Sequence, residues 1–287
     1  MARSMSINHH YYRGYPADFA AGRAAARGFL GWDAFAADID LDRTALLLMH
    51  LPDAGLRPEC AWRPDCPRPD LLGTVEWVPR TMDLATNRLP PLVAAARGCD
   101  LRIVHVTMGN WYAKDFPQRQ RCAAEVGDAP APENVPLPPD PEGDWQAARL
   151  KRAYRIADPP EGADPNVPHN LFAPGLEPQG DDLVCSETWE LHRLMVARKI
   201  VNLIYTGWAL NWCLWFSPCG MNDMERLRYR IFAVRGGCVA IENAESAEAE
   251  GNLEYACWMT ATKFGYILES GELIAALKSA GCGRNAD

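Results

Sequence analysis

The sequence predicts a three-layer α/β/α sandwich built around a mostly parallel sheet. Three observations carry this. Short apolar runs closed by turn residues recur along the chain, the pattern of strands buried on both faces. Stretches with helical spacing stand between those runs, so successive strands are joined by right-handed crossovers. Polar residues able to do chemistry fall just after the runs, at the carboxyl edge where such sheets bind ligands.

The elements follow in order. Residues 1–43 read as an N-terminal extension, with an Ala-rich helical piece near Ala20 to Gly28. The domain proper, 44–287, opens on the run Thr44 to His50, closed by Pro52. A helix is expected from about Thr81 to Arg97, kinked or interrupted by Pro90-Pro91, because proline removes a helix donor and its ring clashes one turn back. A second strand covers Leu101 to Thr107. Between residues 130 and 180 lie twelve of the chain's 23 prolines, so this stretch reads as a largely irregular insertion with one helix near Trp145 to Arg155. Alternation then resumes, with strands at Asp182 to Cys185, Lys199 to Tyr205 and Cys238 to Ile241. Helices are expected at Glu187 to Arg198, from Ala209, at Asn252 to Lys263 and at Gly271 to Lys278.

Composition narrows the function. At 48% hydrophobic residues the chain has ample material for a core. A formal net charge of −8 argues against sequence-independent phosphate binding, so nucleic acid is not the expected partner. The uncharged stretch Ile200 to Asn222 holds Asn202, Pro218 and Gly220, which a membrane-spanning helix would have to bury; no membrane partner is expected. Met1 to Ala21 lacks the apolar core of an export signal, which makes the cytoplasm and reduced thiols the expectation for the ten cysteines.

The stretch Ile204 to Leu214, which reads Ile-Tyr-Thr-Gly-Trp-Ala-Leu-Asn-Trp-Cys-Leu, resembles the signature of isochorismatase-like cysteine hydrolases. Thr44 to His50, Leu101 to Thr107, Cys238 to Ala244 and Phe264 to Leu273 resemble further family segments in the same order. The resemblance spans roughly Thr44 to Ala280. It implies a parallel α/β sandwich and frequent homo-oligomers. Cys213 takes the nucleophile's place, the Ala209 and Cys213 N–H groups form an oxyanion hole, and a cis peptide precedes Ala209. The family pairs its cysteine with an Asp ending the first strand and a Lys ending the third. Here His50 stands at the Asp position. Ser186 stands at the Lys position, or Cys185 or Glu187 if the register slips.

Each residue type suits a task. A cysteine at a helix start meets unpaired N–H groups that favour thiolate and can hold an oxyanion. Imidazole is a competent base for a thiol, which gives His50 that role, with Glu187 placed to orient it or, with Ser186 as cap, to serve as an ordinary helix-start acid. Trp189, Trp208 and Trp212, with Trp215, offer an aromatic wall for substrate. Asp53 is a further substrate-binding candidate or a turn residue beside Pro52. His105 reads as structural. Cys60 and Cys66 lack a second pair at zinc spacing, so neither metal nor cofactor is expected. Cys219 could trap Cys213 on oxidation. Two functions stand open: hydrolysis of an amide-like C–N bond in a small molecule, and a catalytically silent pocket that binds a small molecule or partner.

Overall fold

The apolar run at Thr44 forms a central strand, and the later runs assemble around it. The structure, a computed structural model, describes residues 3–13, 29–53, 56, 76–109, 113–130 and 171–282. In chain order the strands are β1 (Ser4–Arg13), β2 (Gly31–Asp40), β3 (Thr44–Met49), β4 (Arg102–Val106), β5 (Leu183–Cys185), β6 (Asn202–Trp208), β7 (Arg230–Val239) and β8 (Gly265–Glu269). The helices are α1 (Val78–Asp83), α2 (Leu89–Gly98), α3 (Pro117–Val126), α4 (Thr188–Ala197), α5 (Cys213–Phe216), α6 (Met221–Arg226), α7 (Gly251–Lys263) and α8 (Ser270–Cys282).

The strands form one eight-stranded sheet in the order β2-β1-β8-β7-β6-β3-β4-β5. All pairings from β8 to β5 are parallel. Residues 1–43 supply β1 and β2, an antiparallel pair joined over ten residue pairs. This hairpin extends the sheet through an antiparallel bridge from His10 to Ile267. The helix expected near Ala20 lies outside the described residues, as do the helix near Trp145, most of the Pro-rich insertion, and Cys60 with Cys66.

Every residue of β3 is buried, and its side chains alternate between the two faces. Ala45, Leu47 and Met49 join a core with Leu191 and Leu194 of α4, Leu214 of α5 and Leu253 of α7. Leu46 and Leu48 join the opposite core with Leu89 and Leu92 of α2 and Leu273 and Leu277 of α8. Helices therefore cover both faces, the predicted three layers.

Where boundaries moved, the cause is local. The helix expected from Thr81 begins at Val78, and a π-helical turn at Leu84–Arg88 separates α1 from α2. There the Leu89 N–H bonds the Leu84 carbonyl. The wider turn makes room for Pro90 and Pro91, which cannot donate. β6 runs on to Trp208, three residues past the expected Tyr205. β7 starts at Arg230, eight residues before the expected Cys238, because Gly236-Gly237 masks the strand pattern and its pairing to β6 shifts register there.

Candidate active site

The carboxyl ends of β3 and β6 lie side by side, with Met49 paired to Gly207. Gly207 has φ +120°, and a Cβ there would lie 2.0 Å from the Met49 carbonyl oxygen. Only glycine permits that approach. Thr206 ties the same edge down by donating its hydroxyl to the Leu47 carbonyl at 2.7 Å. The Thr-Gly of the signature is thus a device for bringing two strand ends together.

Beyond Gly207 the Trp208–Ala209 peptide is cis, at the position the resemblance implies. The turn is then pinned to the end of β7. The Leu210 N–H donates to the Val239 carbonyl at 2.8 Å. Asn211 clamps Ile241 twice: its Nδ2 donates to the Ile241 carbonyl and its Oδ1 accepts the Ile241 N–H, both at 2.9 Å. That pairing needs a side-chain amide, which explains the Asn of the signature. Cys213 opens α5. Neither the Ala209 nor the Cys213 N–H meets an acceptor among the described residues. α5 is a single turn of four residues, so these free N–H groups, rather than the summed dipole of a long helix, supply the local positive field.

Cys213 is half-buried, whereas Cys99, Cys122, Cys185, Cys219, Cys238 and Cys257 are buried. It borders a shallow depression of about 350 Å³ lined by Asn211, Trp212, Phe216 and Ser217. Its side chain packs against the α2/α8-side core, as do Trp77, Met108 and Ile241.

His50 follows β3 directly, in the left-handed region at φ +55°. Its N–H donates to the Val106 carbonyl at 2.9 Å. The residue is 3% exposed and its Nδ1 has no partner among the described residues. Burial pulls the pKa down to about 4, so the imidazole is neutral near pH 7. Three residues on, Asp53 is fully buried. Its N–H donates to the Leu171 carbonyl and its Oδ1 accepts the Leu56 N–H at 2.7 Å, a turn-forming arrangement.

At the end of β5 the polar groups are engaged with one another. Glu187, not Ser186, is the N-cap of α4, in a capping box with Glu190. The Glu190 carboxylate accepts the N–H groups of Ser186 (2.9 Å) and Glu187 (3.2 Å) and pairs with Arg119 at 2.8 Å. Burial, and then the neighbouring Glu190 charge, raise the Glu187 pKa. No hydrogen bond joins Glu187 to His50 among the described residues, and two strand spacings of about 4.8 Å separate β5 from β3.

The tryptophans divide between the two faces. Trp208 belongs to the α2/α8-side core and stacks on Trp77, with ring centroids 4.2 Å apart and planes 24° apart. Trp189 packs on the opposite core under the Arg193 guanidinium. Trp215 is buried on that same side, donating to Thr260 at 3.1 Å. Trp212 is 45% exposed beside Cys213. Cys219 is fully buried, in the core opposite Cys213. His105 is structural, held by Asp182 at 3.2 Å. Trp77 is the neighbour that sequence reasoning missed; nothing in its local pattern ties it to Trp208. Among the described residues no His, Cys, Asp and Glu cluster could hold a metal ion, and no helix is long and apolar enough to cross a membrane.

No model of a known protein family matches the chain, and no curated protein matches it. Among solved structures it is similar to a cysteine hydrolase from Pseudomonas syringae pv. phaseolicola, at 16% identity over 84% of this chain and 95% of that one, with a TM-score of 0.49. It is also similar to an isochorismatase family protein from Desulfovibrio vulgaris (16%; 83% and 97%; TM-score 0.42). A third is N-carbamoylsarcosine amidase from Thermoplasma acidophilum (14%; 80% and 98%; TM-score 0.41). The mostly parallel α/β/α sandwich stands on this chain's own strand order and helix placement.

Proposed function

We propose that this chain is a divergent isochorismatase-like cysteine hydrolase that cleaves an amide-like C–N bond in a small molecule. One observation carries the reading: the half-buried thiol of Cys213 sits at a turn whose Ala209 and Cys213 N–H groups have no acceptor among the described residues. In the reaction His50 accepts the thiol proton and Cys213 Sγ attacks the substrate carbonyl. The two N–H groups hold the oxygen as it gains charge. The C–N bond then breaks, the nitrogen leaving with the proton from His50. Water attacks the thioester, giving the acid and restoring the thiol.

Trp208 and Trp212 line the approach in this reading, while Ser186, Glu187 and Asp53 hold the surrounding strand ends in place. The chain works as a cytoplasmic homo-oligomer with a small-molecule substrate. Replacing Cys213 with Ala removes turnover of any amide the wild type cleaves, and a thioester adduct appears by mass on wild-type protein alone. An unchanged rate in Cys213→Ala contradicts the reading.

A second reading is favoured by Trp212 and Phe216, 45% and 70% exposed around the depression that Cys213 borders. In it the same face binds a ligand or partner without turnover. Iodoacetamide at neutral pH separates the two: a hydrolase has one thiol that reacts far faster than the rest, and a silent pocket does not.

A further inference from the structure

Two buried nitrogens beside the turn have no hydrogen-bond partner among the described residues: Trp208 Nε1 and His50 Nδ1. Their side chains are 9% and 3% exposed. Trp208 ends β6 and His50 follows β3, each one residue past the paired Gly207 and Met49, so the two residues are neighbours at adjacent strand ends. Buried polar groups in folded chains almost always find partners, and leaving one unpaired opposes folding. Such a group beside a reactive thiol marks where a ligand atom belongs.

The two nitrogens differ in what they specify. Imidazole Nδ1 donates or accepts according to tautomer, so it leaves the ligand's chemistry open. Indole Nε1 only donates, so its partner is an acceptor. The stack on Trp77 holds the Trp208 ring in one orientation. Trp77, Met108 and Ile241 pack, partly buried, on the same core as Trp208 and Ala209, and in the proposed site they meet the apolar body of the ligand.

We infer that Trp208 is a specificity-determining residue whose Nε1–H recognises a hydrogen-bond acceptor on the substrate, distinct from the carbonyl attacked by Cys213. The substrate class is then small amides that carry such an acceptor on an apolar body. This deepens the hydrolase reading and rests on it in calling the ligand a substrate. A site built to donate a hydrogen bond discriminates strongly against an analogue that lacks the acceptor, because the buried N–H stays unpaired.

The test uses full-length protein and four probes: benzamide and the three pyridine carboxamides, isosteric with benzamide but each carrying one ring-nitrogen acceptor. Binding is measured by calorimetry on Cys213→Ala, so that turnover is not needed. At least one pyridine carboxamide binds about tenfold tighter than benzamide, the size of one net hydrogen bond. Adding Trp208→Phe, which keeps an aromatic ring and removes the N–H, brings that ratio to about one. A ratio near one in Cys213→Ala alone, or a preference that survives Trp208→Phe, overturns the inference. Turnover by wild type without acceptor preference ends the role of Trp208 and leaves hydrolysis standing. Acceptor preference without turnover does the reverse.

Discussion

Two strand ends of the same sheet edge use their polar groups in opposite ways. At the end of β5, Glu190 takes the N–H groups of Ser186 and Glu187 and the Arg119 guanidinium. Nearby, Thr188 donates to Asp223 at 2.6 Å and accepts the Cys219 N–H at 2.8 Å. At the end of β6, the Ala209 and Cys213 N–H groups and Trp208 Nε1, with His50 Nδ1 at the adjacent end of β3, find no partner among the described residues. A network that satisfies itself stabilises the fold and has little left for a ligand. Unpaired groups cost stability and persist where something else meets them. In the proposed reading the contrast separates a site for chemistry at β6 from architecture at β5.

The comparison can be broken by mutation, with the largest effect first. Cys213→Ala lowers turnover by at least about 10³-fold while the melting temperature stays close to wild type; steady-state kinetics and calorimetry read the two numbers. Glu190→Ala does the opposite. It removes the buried Arg119 ion pair and two backbone hydrogen bonds, at a cost of about 4 kcal/mol in urea denaturation, and leaves the order of thiol reactivity unchanged.

His50 gives a pH test. Its folded pKa of about 4 lies below the ordinary 6.5, so between those values the unfolded chain binds more protons than the native one. Stability is fully present above about pH 6.5 and is lost as pH falls toward 4, by about 3 kcal/mol. His50→Gln flattens that part of the profile. Asn211→Ala removes both bonds to Ile241 and costs about 2 kcal/mol with a parallel fall in kcat, because the turn loses its anchor to β7. Glu187→Gln has the smallest effect, under about 1 kcal/mol, and leaves the pH–rate profile unchanged, since the residue caps α4 and does not reach His50.

Much of this was legible in the chain. The β3 and β4 runs are short, apolar and bounded, and the family resemblance carried by Thr206 through Asn211 to Cys213 located the turn. Other parts were hidden for identifiable reasons. In β1 the buried positions Met5, Ile7 and His9 alternate with exposed residues, yet its partner β2 lies beyond residues 14–28, and pairing at that range leaves no local mark. α3 is polar, with Arg119, Cys122 and Val126 as its buried residues, so it shows no clear apolar stripe. That Glu187 caps α4 turns on Glu190 folding back onto two N–H groups, a tertiary detail. The low pKa of His50 arises from burial, and the residues after it, 51–53, pair with 171–173, a contact between segments more than a hundred residues apart. Unpaired nitrogens are the hardest to foresee, because they are defined by what every neighbour fails to supply.

The most direct test of a nucleophilic thiol at the β6 turn is acylation by p-nitrophenyl acetate at neutral pH, followed by mass spectrometry of peptides. The account predicts a stoichiometric burst of nitrophenolate with the acetyl group on Cys213, absent in Cys213→Ala. An equal burst from the alanine variant, or acetyl spread over lysines and other cysteines, contradicts it.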